Sequence, residues 1–199
     1  MADKSFSYLT ANFKRKLINT LVSNEDIITI ISPEIKYGLD VEDILRGGTF
    51  DVIVGGKKQR EILQGYILDY YYAASDTTVE NKLFICIETN VATVEKGILA
   101  TLVADIWIFT PKTNVTLSEY TTPNNSDING IGYIGNRIDV CVQMIENFLK
   151  GSEEYGLGRV LPSERGYMSM SAPNTLYYGK KLSFTVTGYS PREADNCGN

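Results

Sequence analysis

The chain has 199 residues, a formal net charge of −5 and no histidine. This length suits one domain, and the acidic balance argues against the uniform basic field of a general DNA-binding protein, although it leaves room for a local basic patch. The absence of histidine excludes Ser-His-Asp and Cys-His catalysis and histidine-based metal sites. We predict no membrane span, because no apolar run reaches about 18 residues, and no signal peptide, because residues 1–16 lack an apolar segment.

The first predicted element is an amphipathic helix near the N-terminus. Apolar residues recur every three or four positions from Phe6 to Leu21, which places them in one stripe. The basic triplet Lys14–Lys16 can shield the surface of this helix, but one triplet is too little to predict a DNA-contacting helix. We therefore interpret the segment as a helix that packs on a core.

The stretch 32–76 is predicted to be an insertion on a smaller core. Ser32–Glu34 has the composition of a capped helix start, and Asp40 can cap a short turn through Leu45. Two short extended segments then flank the polar turn Gly55–Arg60. The glycines and lysines of that turn lack the Walker spacing and a following helix, so they predict a hairpin turn and not a phosphate site.

Two segments carry the strongest strand pattern. KLFICIETN (82–90) is rich in β-branched and aromatic residues, and 91–97 is interpreted as a connector. ILATLVADIWIFTP (98–111) is a longer strand whose two faces are both largely apolar. We expect it to be central, with helices on one side and a neighbouring subunit on the other.

The rest of the chain alternates between loops and packed elements. Residues 111–135 are predicted to form a long polar loop, 136–150 a helix, and 152–166 a second loop. GYMSMSAPN and LYYGKKLSFTVTGYS then form a hairpin of half-exposed strands, and 191–199 is a polar tail. The order predicts a single α+β domain over 1–190: an antiparallel sheet of about four main strands packed by the N-terminal helix and the helix at 136–150.

The sequence GIGYIG (130–135) matches the dinucleotide-binding pattern G-x-G-x-x-G. That motif must leave a buried parallel strand, but the preceding TTPNNSDIN is polar, and no second parallel strand is predicted after the helix. We predict a turn instead, with Asn136 capping a helix that starts at Arg137 and Gly151 at its C-terminal end.

Other candidate chemistry is sparse. Cys86, Cys141 and Cys197 are widely spaced, which predicts reduced and mostly buried thiols in a reducing compartment. Asp105 is a carboxylate inside an apolar strand, so we expect it to pair with a buried base or to lie at a subunit interface. No catalytic residue, metal ligand or cofactor site is predicted.

The element order carries a family resemblance. A helix, the unit KLFICIETN and ILATLVADIWIFTP, a long polar loop, the helix NRIDVCVQMIENFLKG and a closing hairpin follow one another. Over residues 5–31 and 82–190 this order resembles the tail-terminator or tail-completion proteins of tailed bacteriophages, including neck-ring proteins of short-tailed phages.

The resemblance implies a non-enzymatic structural protein of the virion, made in the host cytoplasm. Such a protein forms a ring, commonly sixfold or twelvefold, around the DNA channel at the neck or tail junction. Its partners are the portal or connector and the neighbouring neck-ring and tail proteins, and DNA passes without specific binding. The alternatives are a small α+β enzyme or nucleotide-binding protein that uses Asp105 or the glycine turn, and a phage assembly adaptor.

If the ring hypothesis holds, the loops 112–135 and 152–166 should carry docking contacts. The predicted interface residues are Trp107, Tyr120, Arg137, Tyr155 and Arg159.

Overall fold

The computed structural model of the protein describes residues 6–22, 24, 27, 30–31, 49–54, 57–62, 66–72, 82–95, 99–120, 133–150, 157–163 and 168–189. These residues form an α+β fold with two helices and a mixed sheet of six strands, which confirms the predicted fold class. Among them, no helix combines the length and the apolar character that crossing a bilayer requires.

Both predicted helices are present. Helix α1 spans Phe6–Val22. Helix α2 spans Arg137–Leu149, and the side chain of Asn136 accepts hydrogen bonds from the backbone N–H groups of Ile138 and Asp139. This cap satisfies donors that have no partner within the helix, and it fixes the point at which the helix begins.

The main sheet has six strands. They are β3 (Ile67–Leu68), β4 (Phe84–Glu95), β5 (Leu99–Pro111), β8 (Arg159–Pro162), β9 (Met168–Met170) and β10 (Tyr177–Tyr189). Their spatial order is β3-β4-β5-β10-β8, and β9 pairs with another part of β10. The β3–β4 pair is parallel and the other pairs are antiparallel. The sheet is therefore larger than the predicted four strands and not purely antiparallel.

Two further ladders lie outside the main sheet. Strands β1 (Thr49–Val54) and β2 (Lys57–Ile62) pair antiparallel, as predicted for a hairpin, although β2 already begins within the expected turn Gly55–Arg60. Strands β6 (Thr116–Tyr120) and β7 (Tyr133–Asn136) also pair antiparallel.

Three segments predicted to be connectors or loops contain regular structure. The expected connector after residue 90 is mostly strand, because β4 continues to Glu95 opposite Leu99 of β5. The expected loop 111–135 begins with the end of β5 and a 3-10 turn at Lys112–Asn114, and its two arms pair as β6 and β7. The expected loop 152–166 contains β8, which pairs with β10.

The stretch 32–76 contributes to the main sheet through β3, which pairs with β4. The predicted helix start at Ser32–Glu34, the turn from Asp40 to Leu45 and the C-terminal Gly151 lie outside the described residues. The polar tail 191–199 also lies outside them.

One face of the main sheet packs on both helices, and we call it the helix face. Helix α1 lies against β4, and α2 lies against β5 and β10. The alternate residues Leu102, Ala104, Ile106 and Ile108 of β5 are at most 1% exposed there. On β10, Lys180 pairs with Asp139 of α2 across this face, with Nζ and Oδ1 2.8 Å apart. The helix face holds the main hydrophobic core, which supplies most of the burial that stabilises the fold.

Both edges of the sheet are short or interrupted. Strand β3 covers only the first part of β4, and from Ile87 onward β4 has no further partner strand on that side among the described residues. Strand β4 also carries a register shift between Val91 and Thr93. On the other edge, the short strands β9 and β8 pair with successive parts of β10. Short strands and bulges disfavour the addition of a foreign strand.

Candidate interaction surface

The second face of the main sheet is different in composition. Directly paired residues share a face, and the register aligns Cys86 with Trp107 and Glu88 with Asp105. We call this surface the outer face; its residues are Cys86, Glu88 and Asn90 of β4, Val103, Asp105 and Trp107 of β5, and Lys181, Ser183, Thr185 and Thr187 of β10. Most of these side chains are half-buried or exposed, whereas most side chains on the helix face are buried.

Asp105 lies at the centre of a polar network on the outer face. One carboxylate oxygen accepts a hydrogen bond from the Ser183 hydroxyl, and the other lies 2.9 Å from Nζ of Lys181. The same ammonium lies 4.9 Å from the centre of the Trp107 ring, a cation–π geometry. Asp105 thus pairs with a base, as the first of its two predicted alternatives requires, but this base, Lys181, is half-buried and not fully buried.

A second ion pair adjoins the first. Glu88 is directly opposite Asp105, and like charges in this position destabilise a sheet unless they are compensated. Lys14 of α1 compensates Glu88, with Nζ 2.8 Å from its carboxylate, and also donates to the backbone carbonyl of Asp69 at 2.6 Å. Each of the two carboxylates therefore has its own lysine, and the four groups together carry no net charge.

One end of the outer face is apolar and covered. Five buried residues form a small second cluster there: Leu68, Phe84, Cys86, Phe109 and Tyr177. The chain that leaves β3 passes over it at Asp69–Tyr72, which we call the strap. The ring of Tyr71 meets Trp107 edge-on at 5.2 Å, and the ring of Tyr72 lies 5.1 Å from that of Phe84.

Gly179 allows the strands to pack closely beneath this cluster. A Cβ at this position would lie 2.5 Å from Cβ of Phe109, 2.5 Å from the carbonyl oxygen of Ser171 and 2.7 Å from that of Ile108. Two of these three atoms belong to the backbone and cannot swing aside. Glycine is therefore required here for space, because Phe109 must lie against β10 to stack its ring 5.3 Å from Phe84.

Burial also raises the pKa of the two thiols that the structure describes. Desolvation raises the pKa of Cys86 to about 11, although a hydrogen bond with the backbone of Tyr72 opposes the rise. Desolvation raises the pKa of Cys141, in the main core, to about 12. Both cysteines are buried and free, as predicted; Cys197 lies outside the described residues.

The structure brings two of the five predicted interface residues to one surface. Trp107 is half-buried on the outer face beside Lys181, and Arg159 of β8 is exposed on the same face beside Thr187. They are separated by six positions along β10, which is roughly 20 Å.

The other three predicted residues are elsewhere. Arg137 begins α2, its backbone N–H donates to the carbonyl of Val115 at 2.7 Å, and its side chain is only 5% exposed. Tyr120 ends β6 opposite Tyr133, and Tyr155 lies outside the described residues. Arg137 thus offers little surface to a partner, whereas Trp107 and Arg159 remain candidates.

The glycine motif 130–135 does not have the context of a dinucleotide site in the described part of the chain. Its last residues belong to β7, which pairs antiparallel with β6 and leads directly into α2. A dinucleotide turn leaves a parallel strand inside a βαβ unit. Nor does any group of three or more Cys, Asp or Glu residues within the described ranges have the arrangement of a metal site.

No local pattern in the sequence indicates Lys181 as a site residue or Glu88 as the partner of Lys14. The adjacent lysines of β10 indicate only that their side chains diverge, because neighbours in a strand point to opposite faces. Lys180 forms an ion pair with Asp139 on the helix face, and Lys181 forms one with Asp105 on the outer face. The partner of Lys14 depends on how α1 sits against β4, which no local pattern encodes.

The described residues define an α+β protein, and the outer face of its main sheet is a candidate interaction surface. The YomW family model matches residues 24–186, so the chain belongs to the YomW family. This family is phage-derived, which indicates a phage origin for the chain. No curated protein and no solved structure matches the chain.

Proposed function

We propose that the chain is a non-enzymatic structural protein of the phage neck or tail junction. Its copies form a ring around the DNA channel, between the portal or connector and the tail. Phage origin supports the setting, and the resemblance in element order supports the position in the particle. The contrast between the two faces of the main sheet carries the proposal for subunit contacts.

The outer face has the composition of a contact surface between copies that fold alone. Non-obligate interfaces combine aromatic anchors with polar and charged groups, and they are only about as apolar as other surfaces. Here Trp107 is the half-buried aromatic with the Asp105–Lys181 pair beside it, and Arg159 is exposed further along β10. The helix face, by contrast, is already filled by α1 and α2.

The acidic balance of the chain also suits a DNA channel. A surface that neutralises few phosphates releases few counterions, so nucleic acid passes without strong retention. The net charge of −5 favours this behaviour for the subunit as a whole. Heterologous contacts between identical subunits close into a ring when their rotation permits.

The deciding experiment measures the oligomeric state. The purified chain should form one closed species by light scattering, with rotational symmetry in electron-microscopy class averages, alone or after addition of phage particles that lack it. A chain that remains monomeric at all concentrations and beside its portal and tail partners contradicts the ring.

Substitution of Arg159 tests which face meets the neighbour. Arg159→Glu should weaken assembly while it leaves the unfolding midpoint unchanged, because the side chain is exposed. Arg15→Glu is the matched control, since it makes the same charge change at an exposed position on α1. Equal loss of assembly in both variants would show that total charge, and not the outer face, is responsible.

A further inference from the structure

The strap Asp69–Tyr72 differs from the rest of the outer face in how it is held. The parallel pairing of β3 with β4 stops at Leu68, opposite Cys86. Beyond this point Asp69 is exposed, Tyr70 is 51% exposed and Tyr71 is 38% exposed. Regular strand pairing therefore ends where the strap begins, and the strap lies at the surface.

Side chains fix the strap at several points. The rings of Tyr71 and Tyr72 lie on the apolar cluster, and the Lys14 ammonium donates to the carbonyl of Asp69. The same ammonium binds Glu88, so one side chain connects helix α1, strand β4 and the strap. The Lys14 side chain is 20% exposed. This part of the strap therefore depends on one partly exposed side chain, whereas a β-ladder distributes its hydrogen bonds among many residues.

Beneath the strap, Cys86 is fully buried. The backbone of Tyr72 hydrogen-bonds to its thiol, and Tyr72 packs against the apolar cluster that contains it. Displacement of the strap would remove the Tyr72 contacts that cover the thiol, without requiring the sheet or either helix to unfold. Cys141 differs, because it lies in the main core between α2 and the sheet.

We propose that the strap is a latched flap that opens locally, with Lys14 as the latch, and that its opening uncovers the aromatic surface of Phe84, Phe109 and Trp107. The strap lies at the surface and outside the ladder of the sheet, and such segments open at a lower free energy than the global fold. The flap thus gives the subunit two forms of its outer face, one covered and one apolar.

The two native cysteines allow the opening to be measured without the introduction of a new cysteine. In a Cys197→Ser background, each thiol reacts with 5,5′-dithiobis-(2-nitrobenzoate) at a rate that mass spectrometry resolves by site. Thiolate attacks the reagent disulfide, forms a mixed disulfide and releases one thionitrobenzoate. Cys86 should react at least about tenfold faster than Cys141, because local openings are more frequent than global unfolding.

Low urea separates the two routes of exposure. Global unfolding exposes much surface and accelerates steeply with denaturant, whereas a local opening exposes little and hardly responds. The rate at Cys86 should therefore stay nearly constant in low urea while the rate at Cys141 rises. Equal rates and equal urea dependence at both cysteines would overturn the proposal, since Cys86 would then be reached only by global unfolding.

The latch is tested by Lys14→Met in a Glu88→Gln background and compared with Glu88→Gln alone, because the ammonium is then removed without leaving the Glu88 carboxylate uncompensated opposite Asp105. The double variant should raise the rate at Cys86 about 5- to 20-fold, the effect of losing charge-assisted hydrogen bonds, and leave Cys141 within about twofold. Arg15→Met, at the exposed neighbouring position, should change neither rate. If Lys14→Met raises both rates equally or neither rate, Lys14 is not the latch.

Discussion

Alternate residues of strand β5 belong to two different surfaces. Leu102, Ala104 and Ile106 are sealed against the helices, whereas Val103 and Asp105 between them are half-buried on the outer face. The first surface is apolar and continuous, and the second consists of ion pairs, hydroxyls and an aromatic cluster at one end. Because the period of a strand is two, one segment can supply the core and a second, more polar surface independently.

The largest expected effect on the free energy of unfolding comes from a comparison of two neighbouring residues of β10 that point to opposite faces of the sheet. Phe184→Ala should lower the free energy of unfolding by about 3–5 kcal/mol, because the ring is fully buried on the helix face and its loss leaves a cavity. Thr185→Ala, on the half-buried outer face, should change it by roughly 0.5 kcal/mol or less. Urea unfolding measures both variants, and similar losses would mean that the outer face is part of the core.

A smaller loss is expected at Gly179. Gly179→Ala should destabilise the fold by about 1–3 kcal/mol, because the new methyl group would press on Phe109 and on two backbone carbonyls. Fluorescence of Trp107, near the displaced ring, should change as well. A neutral substitution would show that β5 and the backbone at Ser171 can move away from β10 without cost.

The dependence of the free energy of unfolding on alkaline pH allows the buried thiols of the two surfaces to be compared. Burial raises the folded-state pKa of Cys141 to about 12 and of Cys86 to about 11, above the usual value of 9.0. The unfolded chain therefore loses these protons first, and stability falls as the pH rises above about 9. Cys141→Val should reduce this loss by roughly 1 kcal/mol at pH 10, measured by urea unfolding between pH 8 and 10. An unchanged pH slope would contradict the burial of Cys141.

The smallest effect is expected from the pair Asp105–Lys181. A double-mutant cycle with Asp105→Asn and Lys181→Met should give a coupling free energy of roughly 0.5 kcal/mol, because both groups are partly exposed and screened by water. Added salt should reduce this coupling. A coupling several times larger would place the pair in a drier environment, such as a contact between subunits.

The sequence predicted the elements whose signals are local. The apolar stripe of α1 and the cap of α2 at Asn136 lie within a few residues of the structures that they specify. Strand β8 was missed because RVLP is short and contains Pro162, and it forms a strand only by pairing with β10. The parallel β3 was missed because two residues carry no period at all.

The candidate interaction surface also combines features that local patterns predict with features that depend on strand pairing. Asp105 could be expected to need a base, since a carboxylate within an apolar strand is costly alone. That the base is Lys181, and that Glu88 lies opposite, follows from the register of three strands, which no single segment encodes. Trp107 and Arg159 lie in different segments, and only the pairing of β5, β10 and β8 places them on one face.

The strand edges determine how copies of the chain meet when they are concentrated. A long, flat edge would accept a strand from any neighbour, and successive additions would grow into fibres. Here one edge consists of β9 and β8, and the other is interrupted at Val91 and Thr93. Among the described residues, both edges therefore disfavour the addition of strands from other copies. Any contact between copies then depends on side chains, which favour a finite assembly over a growing sheet.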